Sequence, residues 1–242
     1  MSEGVITLEN VSFAYEKVSV LDNVSLNVQR GEFMGVVGPN GGGKSTLLKI
    51  ILGLIKPRKG RVTVLGKSPE KGRKSIGYVA QYASFRREFP ITVEETVLLG
   101  LLGKTRPWFG YTAGERALAQ QAMIEAQILD LQARQLGTLS GGQFQRVLIA
   151  RSLIANPDII ILDEPTANVD VRMEENIFDL LKRLNERATI IVVSHDVGFI
   201  SEYVNRVACL NKTLVCHETS AISGDMIEQI YGEPVHMIQH RH

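Results

Sequence analysis

The segment that most constrains the fold is VVGPNGGGKST, which begins at Val36. Residues 38–45 match the pattern G-x-x-x-x-G-K-[S/T] and lie between a predicted strand at 33–37 and a predicted helix at 44–54. Glycines let the backbone wrap closely around phosphate groups, because no Cβ stands in the way. The lysine at this spacing can reach the β- and γ-phosphates, and the hydroxyl of the following serine can bind Mg²⁺. The pattern therefore predicts a strand–loop–helix unit that binds nucleotide phosphates.

The rest of the chain alternates β-branched apolar stretches with helical patterns. Continuous runs such as IIIL and TIIVV are typical of strands buried on both faces, and hence of a parallel sheet covered by helices. We expect strands at residues 5–8, 33–37, 61–64, 76–79, 159–162, 189–193, 207–210 and 214–216. We expect helices at residues 44–54, 93–101, 113–129, 142–153, 172–187 and 197–202. Strand signals vanish between residues 82 and 156, which indicates a helical insertion into an α/β core.

Composition and charge exclude several classes of protein. The formal net charge is +1, so no global field attracts nucleic acid or a membrane surface, and we expect no nucleic-acid partner. The two cysteines, Cys209 and Cys216, are too few for a disulfide framework and favour a reducing, intracellular setting. No apolar run reaches the roughly 18 residues of a membrane-spanning helix, and the first ten residues lack the pattern of a signal peptide.

Two further segments carry chemistry. IIILDEP is a buried strand that ends in Asp163 and Glu164. An aspartate at this place is the metal-side partner of a phosphate-binding loop, and the adjacent glutamate is placed to polarise an attacking water. LSGGQ, from Leu139 to Gln143, opens a predicted helix with a serine and two glycines, and a helix N-terminus of this kind can seat an anion. The chain thus has two predicted phosphate seats.

Taken together, the ordered motifs resemble those of the ATP-binding subunits of ABC transporters. GPNGGGKST is similar to the Walker A loop, YVAQ at residues 78–81 to the Q-loop, and IIILDEP to Walker B. LSGGQ is the family signature, ANVD at residues 167–170 occupies the D-loop position, and VVSHD contains the switch histidine, His195. Tyr15, in VSFAY, stands where the family stacks an aromatic ring on adenine. Departures such as Gly42 and Ala80 remove no charged or metal-binding group.

The resemblance implies a fold class and a domain layout. It implies an α/β P-loop NTPase of the ABC ATPase type, with a RecA-like parallel sheet core, an antiparallel β subdomain and an inserted helical subdomain. We expect a single ABC ATPase domain over residues 1–232, with the core at 1–82 and 157–220 and the helical subdomain at 83–156. Residues 233–242 form a histidine-containing tail.

The resemblance also implies the cofactors ATP and Mg²⁺ and a role for each matching residue. Glu164 would act as the base, His195 would contact the γ-phosphate, and Gln81 would contact the water and the metal. The implied Mg²⁺ ligands are Ser45, Gln81 and Asp163. The implied ATP contacts are Tyr15, Gly38, Asn40, Gly41, Gly43, Lys44, Ser45, Thr46, Ser140, Gly141, Gly142, Gln143 and Asp170. The signature residues Ser140, Gly141 and Gly142 would cap the γ-phosphate bound by the other copy of a dimer.

The implied partners are a second copy of the chain in the ATP-bound state, two membrane-spanning permease subunits and, indirectly, a substrate-binding protein. The implied location is peripheral, on the cytoplasmic face of the inner membrane. FPITV, VLLG and EPTANVD are similar to segments of zinc and manganese importers, which favours a divalent metal ion as cargo. An iron–siderophore or cobalamin importer, or a soluble ABC ATPase of iron–sulfur cluster assembly, remains open. Phe85, Arg86, Arg87 and Phe89 lie in the stretch that would meet a permease.

Histidines and cysteines near the C-terminus leave two alternatives open. His236 and His240 are spaced i, i+4 and His242 follows, so a helix there could share a metal, whereas the simpler prediction is a frayed terminus. Cys209, Cys216 and His217 alternate in strand-like stretches, where buried free thiols are favoured over a metal site.

Overall fold

The computed structural model describes residues 4–81, 89–102, 110–166, 171–195 and 197–219. They form two compact units, one from residues up to Lys74 and from Asn185 onwards, the other from Ser75 to Leu184. The strands are β1 (Ile6–Tyr15), β2 (Val18–Val28), β3 (Phe33–Val37), β4 (Lys59–Val64), β5 (Ile76–Val79), β6 (Ile159–Asp163), β7 (Thr189–Ser194), β8 (Arg206–Asn211) and β9 (Thr213–Glu218). The helices are α1 (Lys44–Ile51), α2 (Pro69–Gly72), α3 (Val93–Leu98), α4 (Ala113–Glu125), α5 (Gly141–Leu153), α6 (Val171–Asn185) and α7 (Val197–Ser201). Within the described ranges, every helix falls short of the length and apolarity needed to span a bilayer.

The first unit contains an antiparallel sheet in the order β2-β1-β4. Strand β2 was not among the predicted strands, because a bulge hides its alternation. Leu21 and Val24 are both buried, although a strict period of two would put them on opposite faces. The register against β1 shifts there, and Asn23 has a φ of 51°. An extra residue in one strand turns the side chains that follow it to the opposite face of the sheet. The alternation of apolar and polar residues is therefore interrupted.

The same unit also contains strands in the order β7-β3-β8-β9. β3 pairs in parallel with β7 and with β8, and β9 returns antiparallel to β8. All five residues of β3 are buried, as are the first five of β7, so these strands are covered on both faces. This confirms the parallel strands predicted from the continuous apolar runs, and with them the α/β class.

The second unit combines the parallel pair β5–β6 with the helices α3 to α6. The helices α3, α4 and α5 each begin with a capping box, in which the N-cap hydroxyl and the side chain three residues later satisfy each other's backbone N–H groups. Most of α3 is buried, and it packs against both α4 and α5. The helical character predicted for this stretch is confirmed where the structure describes it.

Several predicted helices were too long at their C-terminal ends, for a local reason. α1 ends at Ile51 rather than at residue 54, because Gly53 has a φ of 64°. α4 ends at Glu125 rather than at residue 129, and Gln127 has a φ of 60°. A residue in the left-handed region closes a helix, and it is usually glycine, so Gln127 gave no sequence signal for the end of α4.

Candidate functional site

The phosphate-binding loop, residues 38–43, connects β3 to α1 in the first unit. Gly38, Gly41 and Gly43 have φ values of 152°, 79° and 106°, in the region that disfavours side chains. A Cβ on Gly38 would also collide with the carbonyl oxygen of Leu210 in β8. The loop is tied to the β8–β9 turn, because the backbone N–H of Lys212 donates to the carbonyl of Gly42 over 3.1 Å. The glycines are therefore required by backbone conformation and by the close approach of β8.

The side chain of Lys44 is folded into this loop. Its Nζ donates to the carbonyl oxygens of Gly38 over 2.6 Å and Pro39 over 3.1 Å, and the residue is 7% exposed. The N-cap residue Gly43 gives no side-chain cap to α1. The helix thus begins with backbone N–H groups and a buried ammonium near one another, an arrangement that suits an anionic ligand.

Asp163 is the last residue of β6 in the second unit and is 7% exposed. The hydroxyl of Tyr78, in β5, donates to its Oδ2 over 3.4 Å. Burial of the phenol, and then the neighbouring Asp163, raise the pKa of Tyr78 to about 12. Tyr78 therefore stays a neutral hydrogen-bond donor throughout the neutral pH range. Tyr78 lies in the YVAQ motif, but its contact with Asp163 was not predicted from the sequence. The only available signal was the position of Tyr78 on a strand predicted to belong to the parallel sheet.

Glu164 follows Asp163 and meets Gln81 from the end of β5. The Nε2 of Gln81 donates to Oε2 of Glu164 over 2.6 Å. Glu164 has a φ of 46°, which is uncommon for a residue with a side chain and costs of order 1 kcal/mol. Conformations of this kind cluster at functional sites, where the surrounding structure holds them in place. The structure thus brings together two of the three residues predicted to be catalytic.

The LSGGQ segment forms the start of α5. Ser140 is the N-cap, its Oγ accepts from the backbone N–H of Gln143 over 3.3 Å, and Oε1 of Gln143 accepts from the N–H of Ser140 over 3.1 Å. Ser140 and Gly141 are exposed, while Gly142 is buried, and a Cβ on it would lie 2.8 Å from Cε of Met173 in α6. The serine, the first glycine and the helix start are therefore presented on the surface of the second unit.

The remaining predicted residues that the structure describes all lie in the first unit. Tyr15 ends β1, is 45% exposed, and packs edge-to-face on Phe13 with ring centroids 4.9 Å apart. His195 is exposed and directly follows β7. In the phosphate-binding loop and the first turn of α1, Asn40, Gly41 and Ser45 are exposed, whereas Thr46 is 7% exposed. Asp170 lies outside the described residues, as do Phe85, Arg86, Arg87 and the tail with His236, His240 and His242.

The two cysteines, Cys209 and Cys216, lie on the paired strands β8 and β9 as free thiols. Cys209 pairs with Val215 and Cys216 pairs with Ala208, so the cysteines project from opposite faces of the β8–β9 hairpin. Burial raises the pKa of Cys209 to about 11, with Cys216 adding to the effect, and burial also raises the pKa of Cys216. Across the part of the chain that the structure describes, no group of three or more histidine, cysteine or acidic residues is arranged to hold a metal ion. Cys209 is buried, as expected from the sequence, whereas Cys216 is half-buried.

The family model described as "ABC transporter" matches residues 21–167. A "Probable metal transport system ATP-binding protein" of Chlamydia trachomatis is 43% identical over 89% of this chain and 92% of the relative. The "Zinc uptake system ATP-binding protein ZurA" of Listeria innocua is 39% identical over 87% of this chain and 84% of the relative. The "Manganese transport system ATP-binding protein MntB" of Listeria monocytogenes is 40% identical over 93% of this chain and 95% of the relative.

Two solved structures are similar over most of the chain. A putative metal-chelate type ABC transporter in an inward-facing conformation is 28% identical, with a TM-score of 0.86, and the match covers 96% of this chain and 90% of that one. The dimeric structure of a bacterial ABC transporter cassette is 35% identical, with a TM-score of 0.73, over 90% of this chain and 100% of that one.

Proposed function

The chain belongs to the ABC transporter family, and from that premise we propose that it powers the import of a divalent metal ion such as zinc or manganese. It is an ATP-binding subunit and an ATPase, as the family match shows. The observation that carries the cargo proposal is the 43%, 39% and 40% identity to subunits named for metal, zinc and manganese transport. The matches cover 92%, 84% and 95% of these three relatives.

The ATP contacts that we propose follow from the local geometry of each motif. Lys44 already donates to the loop carbonyls of Gly38 and Pro39, and the β- and γ-phosphates would replace those carbonyls as its acceptors. The exposed hydroxyl of Ser45 and the exposed ring of Tyr15 would contact the metal and the adenine. Glu164 would accept a proton from the attacking water. His195 would donate to the γ-phosphate.

The residues proposed for Mg²⁺ fit that ion chemically. Ser45, Gln81 and Asp163 supply a hydroxyl, an amide and a carboxylate oxygen, the ligand type that Mg²⁺ prefers. Asp163 is buried at the end of β6, and its carboxylate is a hard oxygen ligand of the kind that Mg²⁺ binds. The bound ion would neutralise the charge that develops on the phosphates. The Nε2 of Gln81 donates to Glu164, so its Oε1 would be the atom that contacts the metal.

We further propose that two copies, each a single ABC ATPase domain over residues 1–232, close head-to-tail on two ATP molecules. Ser140, Gly141, Gly142, Gln143 and Asp170 would then contact the nucleotide of the opposite copy. A related cassette that is 35% identical is dimeric, which supports this arrangement. Two permease subunits, served by a substrate-binding protein, would anchor the pair at the cytoplasmic face of the inner membrane.

A metal chelate is the second candidate cargo, since the inward-facing transporter of metal-chelate type is similar over 96% of this chain. Its identity is 28%, against 43% for the metal transport relative, so the free ion is favoured. A soluble ABC ATPase of iron–sulfur cluster assembly is less well supported, because the relatives are named for transport.

Uptake by cells that lack the gene tests the cargo. We expect deletion to abolish high-affinity accumulation of radioactive zinc or manganese, and a plasmid copy of the wild type to restore it. A Glu164→Gln copy serves as the matched control, because it keeps the protein while removing the proposed base. Loss of iron–siderophore or cobalamin uptake, with zinc and manganese uptake intact, would favour the chelate instead.

A further inference from the structure

Strands β5 and β6 bring a phenol next to an acid that is 85 residues away in the chain. We propose that Tyr78 is a positioning residue, whose hydroxyl orients the carboxylate of Asp163 for binding the Mg²⁺ of the ATP complex. The proposal rests on the proposed function, in which Asp163 is a ligand of that ion.

The sheet geometry makes the contact specific. In the parallel pair β5–β6, Tyr78 lies opposite Ile161 and Val79 lies opposite Leu162. Side chains two residues apart on one strand point to the same face, so Ile161 and Asp163 share a face with Tyr78. A tyrosine is long enough to reach the diagonal neighbour on that face. The register therefore directs the hydroxyl at Oδ2 of Asp163, where it lies 3.4 Å away.

The chemistry of the donor matters as much as its place. A phenol is uncharged, so it can hold one carboxylate oxygen without neutralising the charge that attracts the metal. An arginine or lysine at the same place would compete with the cation. Groups that hydrogen-bond to a metal ligand set its orientation, and their loss typically lowers metal affinity 10- to 100-fold. A contact of 3.4 Å is long for a hydroxyl donor, and such contacts commonly shorten once the ligand is bound.

Tyr78→Phe removes only the hydroxyl and keeps the ring that packs in β5. We would measure the affinity of a fluorescent ATP analogue in EDTA and across a Mg²⁺ series, and count bound Mn²⁺ by its EPR spectrum in the presence of a non-hydrolysable ATP analogue. We expect the Mg²⁺ and Mn²⁺ concentrations for half-saturation to rise about 10-fold. The affinity for the analogue in EDTA should not change, because the hydroxyl acts through the metal ligand.

Tyr111→Phe is the matched control, since it deletes the same atom from a tyrosine without a role in the site, and it should titrate like the wild type. Unchanged half-saturation in Tyr78→Phe, or an equal loss of affinity with and without metal, would show that Tyr78 only packs. An Asp163→Asn variant tests the role of Asp163 as a metal ligand separately from the role of Tyr78. If it binds Mn²⁺ as tightly as the wild type, the assignment of Asp163 in the proposed function fails before Tyr78 is considered.

Discussion

Hydrogen bonds to neighbouring groups hold the side chains of Lys44 and Glu164 in place. The ammonium of Lys44 is almost fully buried, and the carbonyl oxygens of Gly38 and Pro39 compensate for its lost hydration. Gln81 similarly donates to Glu164. Because the loop carbonyls are neutral dipoles, a phosphate can replace them as the acceptors for Lys44 without leaving a buried charge unpaired.

Lys44→Ala tests the contribution of this single residue of the phosphate-binding loop to ATP binding. We expect affinity for ATP to fall by a factor of about 100, because charge-assisted hydrogen bonds to phosphate are worth roughly 1.5–3 kcal/mol. Fluorescence titration with a labelled ATP analogue measures the change.

Lys49→Ala provides the control on the same helix, since Lys49 is exposed in the last turn of α1. It should leave the affinity within twofold of the wild type. An equal loss of ATP affinity in the two variants would mean that the lysines act through the overall charge of α1. The contacts of Lys44 within the loop would then not explain its effect.

At the scale of the element, α5 shows how one sequence motif serves two purposes. SGGQ is a helix-start signal of the type S-x-x-Q, and in the structure Ser140 and Gln143 form a complete capping box. The box fixes where the helix begins, so it also fixes where the exposed N–H groups of the first turn point. The second phosphate seat predicted from the sequence is thus a capped helix end whose serine is exposed.

Ser140→Arg should leave binding of ATP by the monomer within twofold of the wild type, and it should block dimer closure, because a long cation would occupy the place of the γ-phosphate. Nucleotide titration and size-exclusion chromatography measure the two properties. Losing the cap should also lower the free energy of unfolding by about 1 kcal/mol.

Thr112→Arg is the matched control, because Thr112 caps α4 with the same box. It should show the same loss of stability while the dimer still forms. If Ser140→Arg instead abolished ATP binding by the monomer, the signature would belong to the nucleotide site of its own chain.

At the scale of the whole molecule, the motifs are divided between the two compact units. The phosphate-binding loop, Tyr15 and His195 belong to the first unit, and Gln81, the signature, Asp163 and Glu164 belong to the second. A chain with two phosphate seats is explained by the proposed head-to-tail dimer, in which each seat serves a different nucleotide. ATP then stabilises the closed pair by mass action, because only the closed state binds it at both seats.

Glu164→Gln should therefore trap the ATP-bound dimer. We expect turnover to fall at least about 100-fold, the lower end of what a general base contributes, while ATP binding is kept. Phosphate release and light scattering after chromatography in Mg²⁺ and ATP measure turnover and mass.

Glu186→Gln, at an exposed acid just after α6, should leave turnover and the monomer–dimer balance unchanged. Wild-type turnover in Glu164→Gln would remove Glu164 as the base. A monomer that persists in ATP would contradict the head-to-tail arrangement.

Features that depend on neighbours along the chain could be predicted from the sequence. The strand, glycine loop and helix around Lys44 were predictable because the glycines, the lysine and the apolar run before them act over a few residues. The parallel strands were predictable because their residues are apolar on both faces. Strand β2 was not, because its bulge depends on the register with β1, which no local pattern records.

The chemical groups in the motifs, and the local turns that present them, follow from short stretches of sequence. Which of those groups come into contact depends on the fold. Tyr78 reaches Asp163 across 85 residues of sequence, and Gln81 reaches Glu164 across 83. Both contacts depend on the parallel register of β5 and β6, and that register is set by the packing of apolar side chains rather than by the motifs themselves.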